Sequence, residues 1–393
     1  MNPKDIYIRG IGIVSGLGLT VEEHRDAFAQ GRSGMGPVSL FDTPLQVPVS
    51  EVKASREQLC QWLGLPVRSS WSRTALLGFW AVRKAAEDAG LDVRSPRVGL
   101  VSSTSVGGMD LSEHFFRQGG GDPLRGSLRN IVSHDCGDST SRIAMQMGFG
   151  GYVTTLSTAC SSAANAIMFG ARLIREGLMD AVVAGGVDAL CAFTLNGFHS
   201  LMILDKNHCR PFDASRSGLN LGEGAGFVVL TSDSRQARAR LAGFANANDA
   251  YHQTASSPDG DGPYLSMSRA LAMSGLSPSQ IDYINVHGTG TENNDLSEGR
   301  AMKRLFGEQV PLFSSTKSFT GHTLGAAGGI EAVLSVLSVE RGWIYPNLNF
   351  AQPDPAIGLA PGTVFRTDLP VRSVLSNSFG FGGNDSTLIF SRE

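Results

Sequence analysis

Short runs of apolar residues alternate with longer amphipathic stretches along most of this 393-residue chain. The longer stretches ALLGFWAVRKAAEDAG and SSAANAIMFGARLIREG have apolar residues at helical spacing, and each ends in glycine, a common helix stop. The short runs are rich in Val and Ile and predict strands; they read IYIRGIGIVSG, VGLVSSTS, DAVVAGGVDAL, GFVVLTSD, RLAGFANAN, IDYINVHG and LFSSTKS. This alternation predicts a layered α/β fold with mostly buried sheets.

The two halves of the chain show a similar pattern. Residues 157–177 and residues 318–342 each pass from a turn of very small residues into an amphipathic helix. Helices that begin with such residues can pack closely at the centre of a fold. Polar and charged residues accumulate at 231–242, which predicts a boundary between the two halves there.

Composition excludes several classes of function. The chain is 41% hydrophobic and 18% charged with a formal net charge of −3, and its 33 Lys and Arg residues are scattered, which argues against a nucleic-acid or membrane surface. Its 5 cysteines are widely separated without a CxxC pair, so neither a disulfide framework nor a zinc site is expected. No signal peptide or membrane span is predicted, and we expect a soluble, cytoplasmic protein.

One cysteine, Cys160, lies in the small-residue stretch STACSSAANA at 157–166. A predicted helix begins near it, and a thiol there would meet the helix N-terminus, which lowers the thiol pKa and favours a thiolate nucleophile. The alternative is a small buried core cysteine. Local sequence leaves both interpretations open.

Two histidines occupy similar junctions. His287 closes a predicted strand in INVHGTGT, and His322 follows Lys317 by five positions in SSTKSFTGHTLGAAGG. Ligands bind at such strand ends in α/β sheets. The alternatives are histidines satisfied within turns and a surface lysine, although a paired or functional lysine suits this tightly packed segment better.

A glycine-rich stretch near the C-terminus, SNSFGFGGND at 376–385, carries Phe379 and Phe381 between glycines. Such a backbone can approach a ligand closely, or it can form a simple hairpin turn. A cysteine and two histidines at these junctions would suit hydrolysis, transamidation or acyl transfer.

Taken together, these motifs resemble the elongating, Cys–His–His type of β-ketoacyl-(acyl carrier protein) synthase. The resemblance covers nearly the whole chain and rests on TACSSA, VAGGVDA, RPFDASRSGLNLGEGAG, VHGTGT, TKSFTGHTLGAAG and GFGG in the family's order. It implies a thiolase-like five-layer α-β-α-β-α sandwich of two similar halves. Residues 1–235 would carry the nucleophilic cysteine, and residues 236–393 both histidines and the GFGG loop.

The resemblance also implies catalytic roles. Cys160 would take an acyl chain from a carrier-protein thioester, and His287 and His322 would stabilise the enolate formed when a malonyl unit loses CO2. Lys317 and Glu298 match residues that support the histidines.

Further positions would bind the substrate. The N–H groups of Cys160 and Phe381 would form the oxyanion hole, and Phe381 matches a gating phenylalanine. The substrate-binding set implied by the resemblance is Thr289, Thr291, Phe379, Phe381, Gly382 and Leu219.

Acyl carrier protein is the implied partner, in a homodimer or in a heterodimer with a chain-length-factor-like subunit, with no metal or other cofactor. The chain departs from the common family pattern at Ser217–Gly218–Leu219, where DGF is usual, at ENND after VHGTGT, and at GGND instead of GGTN. These departures make a specialised polyene or polyketide pathway as plausible as fatty-acid synthesis.

Three alternative assignments fit this sequence less well. An initiating synthase uses Cys–His–Asn, whereas position 322 is His, and a thiolase needs a second cysteine near the C-terminus, whereas the last one here is Cys209. A silent chain-length factor lacks the nucleophile that this chain keeps at Cys160. A catalytically limited subunit of a ketosynthase/chain-length-factor heterodimer stays open.

Overall fold

The computed structural model describes residues 4–67, 70–120, 122 and 125–392. Its strands are β1 (Tyr7–Ser15), β2 (Met35–Gly36), β3 (Val49–Ser50), β4 (Val98–Ser103), β5 (Val153–Leu156), β6 (Ala181–Asp188), β7 (Gly224–Thr231), β8 (Ala239–Asn248), β9 (Tyr283–Asn285), β10 (Leu312–Ser314), β11 (Ser373–Gly380) and β12 (Asn384–Ser391).

The helices are α1 (Val21–Ala29), α2 (Arg56–Leu63), α3 (Arg73–Ala89), α4 (Met109–Gly119), α5 (Leu128–Ile131), α6 (Cys136–Met147), α7 (Ser162–Arg175), α8 (Ala192–Ser200), α9 (Asp261–Ser274), α10 (Glu292–Phe306), α11 (Lys317–Thr320) and α12 (Ala327–Arg341). Within the described ranges, none of them is long and apolar enough to cross a membrane.

The strand order shows that one arrangement is used twice. In the first half the order is β5-β4-β6-β7-β1, and in the second it is β10-β9-β11-β12-β8. In both halves the first three strands pair in parallel and the last two pairings are antiparallel. A short antiparallel pairing of β1 with β8 joins the halves. The prediction of two similar α/β halves is confirmed.

The helices form layers around these two sets of strands. Helices α3 and α6 cover the outer side of the first half, and α9, backed by α10, covers the second. Helices α7 and α12 pack against each other and against strands of both halves. The result is an α-β-α-β-α sandwich, as expected from the sequence.

The two central helices approach their neighbours very closely. A Cβ atom at Gly328 of α12 would lie 3.3 Å from Ala164 Cβ of α7, and a Cβ atom at Gly329 would lie 2.3 Å from the Gly226 oxygen of β7. Every residue of α12 from Ala327 to Val339 is buried. The small residues seen in the sequence therefore let α12 pass through the centre of the molecule.

Local boundaries differ slightly from the sequence predictions. Strand β9 ends at Asn285, two residues before His287, and α7 begins at Ser162, two residues after Cys160. Residues 381–383 form a hairpin turn between the antiparallel strands β11 and β12, which agrees with the simpler of the two interpretations of that stretch.

Gly226→Ala should destabilise the protein, because the added methyl group would lie 2.2 Å from the backbone of Gly329 and of Ile330 in α12. We expect a loss of about 1–3 kcal/mol in the free energy of unfolding, measured by denaturant titration. Gly197→Ala in α8 is the matched control, because its Cβ would meet no atom within 4 Å and stability should stay the same or rise. Equal midpoints for the two variants would contradict this account of the centre.

Candidate active site

A cavity of about 350 Å³ lies where loops from the two halves meet. Cys160 reaches it from the first half, and His287, His322 and Phe379 reach it from the second. These side chains are far apart in sequence, so the fold brings together the residues that the sequence had marked at separate junctions.

Cys160 lies in a tight turn between β5 and α7. The preceding residue, Ala159, has a φ of 53°, in the left-handed region that residues other than glycine rarely adopt. Ser161 is the N-cap of α7. The strained turn holds the thiol at the helix N-terminus and in the cavity wall.

The expected lowering of the Cys160 pKa is wrong. Burial raises the pKa of this thiol to about 11. The charge of Lys317 and the N–H groups of Phe381 and of Cys160 itself act in the opposite direction, but more weakly. The helix N-terminus is present as predicted. However, the loss of hydration destabilises the thiolate more than these groups stabilise it. The resting Cys160 side chain is therefore a neutral thiol at neutral pH.

The two histidines meet in the cavity. The rings of His287 and His322 lie edge to face with centroids 5.3 Å apart, and Phe379 packs 5.7 Å from the His287 ring. The His322 N–H donates to the Asn220 carbonyl oxygen at 2.8 Å, which fixes the backbone of His322 against the segment that follows Leu219.

Both imidazoles are neutral at pH 7. Burial lowers the pKa of each ring well below its ordinary value, and the positive charge of Lys317 lowers it further. Both Nδ1 atoms are buried and have no hydrogen-bond partner among the described residues. Only Nε2 can therefore exchange a hydrogen bond with a group in the cavity.

Lys317 is buried and paired. Its Nζ donates to the His287 carbonyl oxygen at 2.5 Å and to Glu331 Oε1 at 2.5 Å. Burial raises the pKa of Glu331 to about 7, and Lys317 opposes that rise. The sequence analysis missed Glu331, although a single acidic residue in the apolar stretch AGGIEAVLSVLSV was a usable signal.

Glu298 of α10 supports the turn that carries His287. Its carboxylate accepts the N–H groups of His287 and Gly288, both at 2.8 Å, and the Asn377 amide at 3.0 Å. Burial raises the pKa of Glu298 to about 7. These hydrogen bonds come from backbone N–H and side-chain amide groups, so Glu298 supports His287 through the backbone of the turn.

The remaining predicted residues surround the same cavity. The hydroxyl groups of Thr289 and Thr291 lie 2.9 Å apart, and Phe381 stacks on Phe198 with centroids 6.0 Å apart. The full predicted set found in the cavity wall is Cys160, Leu219, His287, Thr289, Thr291, His322, Phe379, Phe381 and Gly382. Lys317 and Glu298 lie behind it.

No group of three or more His, Cys, Asp or Glu residues is placed to hold a metal ion in the ranges that the structure describes.

The rate of Cys160 alkylation by iodoacetamide should rise with pH, because only the thiolate reacts and its pKa is about 11. We expect the alkylation rate to rise roughly tenfold per pH unit between pH 7 and pH 10. Mass spectrometry of the peptide that carries Cys160 measures this rate. Free glutathione serves as the control and should level off near its own pKa. A plateau for Cys160 below pH 8 would contradict the neutral resting thiol.

Comparison with known proteins places this arrangement in one family. Residues 3–236 match the N-terminal domain of beta-ketoacyl synthases, and residues 238–351 match the C-terminal domain. The chain is 33% identical to a 3-oxoacyl-[acyl-carrier-protein] synthase 2 of Synechocystis, with 100% of this chain and 99% of that protein covered. It is 32% identical to the synthase of the same name from Coxiella burnetii, with 100% and 99% covered.

Solved structures agree with this assignment. The ishigamide ketosynthase/chain length factor matches with a TM-score of 0.94 and 30% identity over 100% of both chains. A ketosynthase in complex with its chain length factor from Xenorhabdus doucetiae matches with a TM-score of 0.88 and 32% identity over 99% of this chain and 98% of that one. The chain therefore belongs to the beta-ketoacyl synthase family.

Proposed function

We propose that this protein catalyses the decarboxylative condensation of an acyl group held on Cys160 with malonyl-acyl carrier protein, giving a 3-oxoacyl-acyl carrier protein. The observation that carries the proposal is the meeting of one thiol and two neutral imidazoles in a single cavity. Two neutral hydrogen-bond donors suit a reaction that develops negative charge on an oxygen atom.

The first step is acyl transfer. Cys160 Sγ attacks the thioester carbon of an acyl carrier protein, the new C–S bond forms, and the carrier thiol leaves with the proton that Cys160 gives up. The N–H groups of Cys160 and Phe381, which both act on the Cys160 sulfur, are the proposed donors to the oxyanion of this step.

The second step forms the carbon–carbon bond. The malonyl thioester loses CO2, and the resulting enolate oxygen accepts hydrogen bonds from His287 and His322 through Nε2. The enolate carbon then attacks the acyl carbon on Cys160, and the sulfur leaves as a thiolate that takes up a proton. The chain has grown by two carbons, and the enzyme has returned to its resting state.

Lys317 helps to keep the two imidazoles neutral, so that they can donate hydrogen bonds to the enolate oxygen. Burial is the main reason that the pKa of both rings is low, and the positive charge of Lys317 lowers it further. Lys317 Nζ also donates to the His287 carbonyl oxygen at 2.5 Å. Glu331 and Glu298 are positioning residues in this proposal, because they hold Lys317 and the backbone of His287.

The substrates and partners follow from the relatives. Similar solved structures include a ketosynthase with its acyl-carrier protein and ketosynthases with their chain length factors. We propose that this chain likewise receives both substrates on the phosphopantetheine arm of an acyl carrier protein, with Thr289 and Thr291 holding that arm. It would act in the cytoplasm as a dimer and need no metal or other cofactor.

A second candidate is an active subunit that requires a chain-length-factor-like partner. The specific observation in its favour is the similarity to ketosynthases solved with such partners. The retained Cys160 assigns this chain to the ketosynthase side of that pair. Fatty-acid elongation and a specialised polyene or polyketide pathway both fit this chemistry.

The direct test supplies acyl- and malonyl-acyl carrier proteins and follows the 3-oxoacyl product by mass spectrometry. We expect product from the unchanged protein and none from Cys160→Ala. Product that persists in Cys160→Ala would refute the assignment of the nucleophile. Acylation of Cys160 without elongation until a chain length factor is added would favour the heterodimer.

His322→Ala should separate the two steps. Because the imidazole is assigned to the enolate, we expect the rate of CO2 release from malonyl-acyl carrier protein to fall by roughly 100–1000-fold, while Cys160 is still acylated. Release of labelled CO2 and the intact mass of the acyl-enzyme measure the two steps. Equal losses in both would contradict this division of roles.

A further inference from the structure

The side-chain oxygen of Asn384 is an unusual junction of hydrogen bonds. It lies 2.7 Å from Ser161 Oγ, 2.8 Å from Asn165 Nδ2 and 2.7 Å from Asn246 Nδ2. Both neighbouring amides direct their nitrogen atoms at it, which assigns this atom as the oxygen. Three elements, the turn before α7, α7 itself and β8, therefore meet at one acceptor.

This junction lies between two parts of the site. Asn384 is the first residue of β12, immediately after the turn 381–383 that contains Phe381. Ser161 immediately follows Cys160. The Ser161 hydroxyl lies 2.8 Å from the Thr158 carbonyl oxygen and 2.7 Å from Asn384 Oδ1, so its single proton is shared between these two acceptors. Its contact with Asn384 is a direct connection between the turn of the nucleophile and the turn that supplies the second N–H group.

The two turns are also in close contact. A Cβ atom at Gly380 would lie 3.0 Å from the Thr158 oxygen and 3.2 Å from Ser161 Oγ. Asn165 Nδ2 lies 2.9 Å from Thr158 Oγ1 in addition to its contact with Asn384. Packing brings the turns together, and the amide hydrogen bonds fix their position relative to each other.

We propose that Asn384 is a positioning residue for the oxyanion hole. An oxyanion hole works only when both N–H groups aim at the same oxygen, and displacement of about 1 Å costs about 100-fold in rate. Here the two groups come from Cys160 in the first half and Phe381 in the second. Asn384 fixes their relative position through Ser161. This inference rests on the proposed acyl transfer to Cys160.

The test compares two reactions of the same thiol. Acylation by an acyl-N-acetylcysteamine thioester needs the oxyanion hole, whereas alkylation by iodoacetamide needs only the thiolate. The ratio of the two rates therefore cancels any change in the thiol pKa. Intact-mass spectrometry measures both rates in single-turnover experiments.

We expect the ratio to fall by about 10–100-fold in Asn384→Ala. Asn384→Asp keeps an acceptor oxygen at the same place and should restore much of the ratio. Asn246→Ala is the matched control, because it removes a hydrogen bond to the same oxygen, together with contacts to Asn165 and Ser386, while Asn246 itself does not bond the turn of Cys160. Its ratio should stay within about twofold of the unchanged protein, whatever its loss in thermal midpoint.

Each other outcome is decisive. An unchanged ratio in Asn384→Ala, whether both rates stay the same or fall equally, would overturn the positioning role. The proposed function would not be affected by that result. An equal fall in the ratio of Asn246→Ala would show a general structural effect and also overturn it. An unchanged protein that accepts an acyl group neither from this thioester nor from an acyl carrier protein would refute the proposed function itself.

Discussion

The close packing of α7 and α12 between the two halves is the constraint on which the site depends. Gly328 meets Ala164 at the contact between these helices, and larger side chains would force the halves apart. Cys160 lies at the start of α7, and Lys317 and His322 lie in the segment that leads into α12. Because both helices begin beside the same cavity, their approach places the thiol and His322 in one wall.

Burial then determines the charge states of the side chains in that wall. Side chains that are removed from water stabilise a charge poorly, so the thiol and both imidazoles are neutral at rest. The buried charge of Lys317 is paired with Glu331 and adds to the effect of burial in lowering the pKa of both rings. In the proposed reaction, the negative charge of the enolate develops on the substrate oxygen, where neutral donors face it.

Much of the fold was predictable because its elements are long and regular. Apolar runs such as DAVVAGGVDAL predicted buried strands, and the two small-residue helices predicted a close central contact. The turn at residues 381–383 is both a hairpin and part of the cavity wall. Periodicity describes each element separately, so it could not say which turns would touch. The pairing of Ser161 with Asn384 spans 223 positions and depends on the packing of both halves.

The sequence alone determined the layered architecture and the chemical identity of the site, since Cys160, His287 and His322 stand in recognisable motifs at element ends. Tertiary structure decided the ionisation of those groups. The helix N-terminus at Cys160 was visible in the sequence, but it is a local effect, whereas desolvation sums over every atom that excludes water from the thiol. The partners Glu331 and Asn384 were also decided by tertiary structure, because hydrogen bonds across a core exist only once the core has formed.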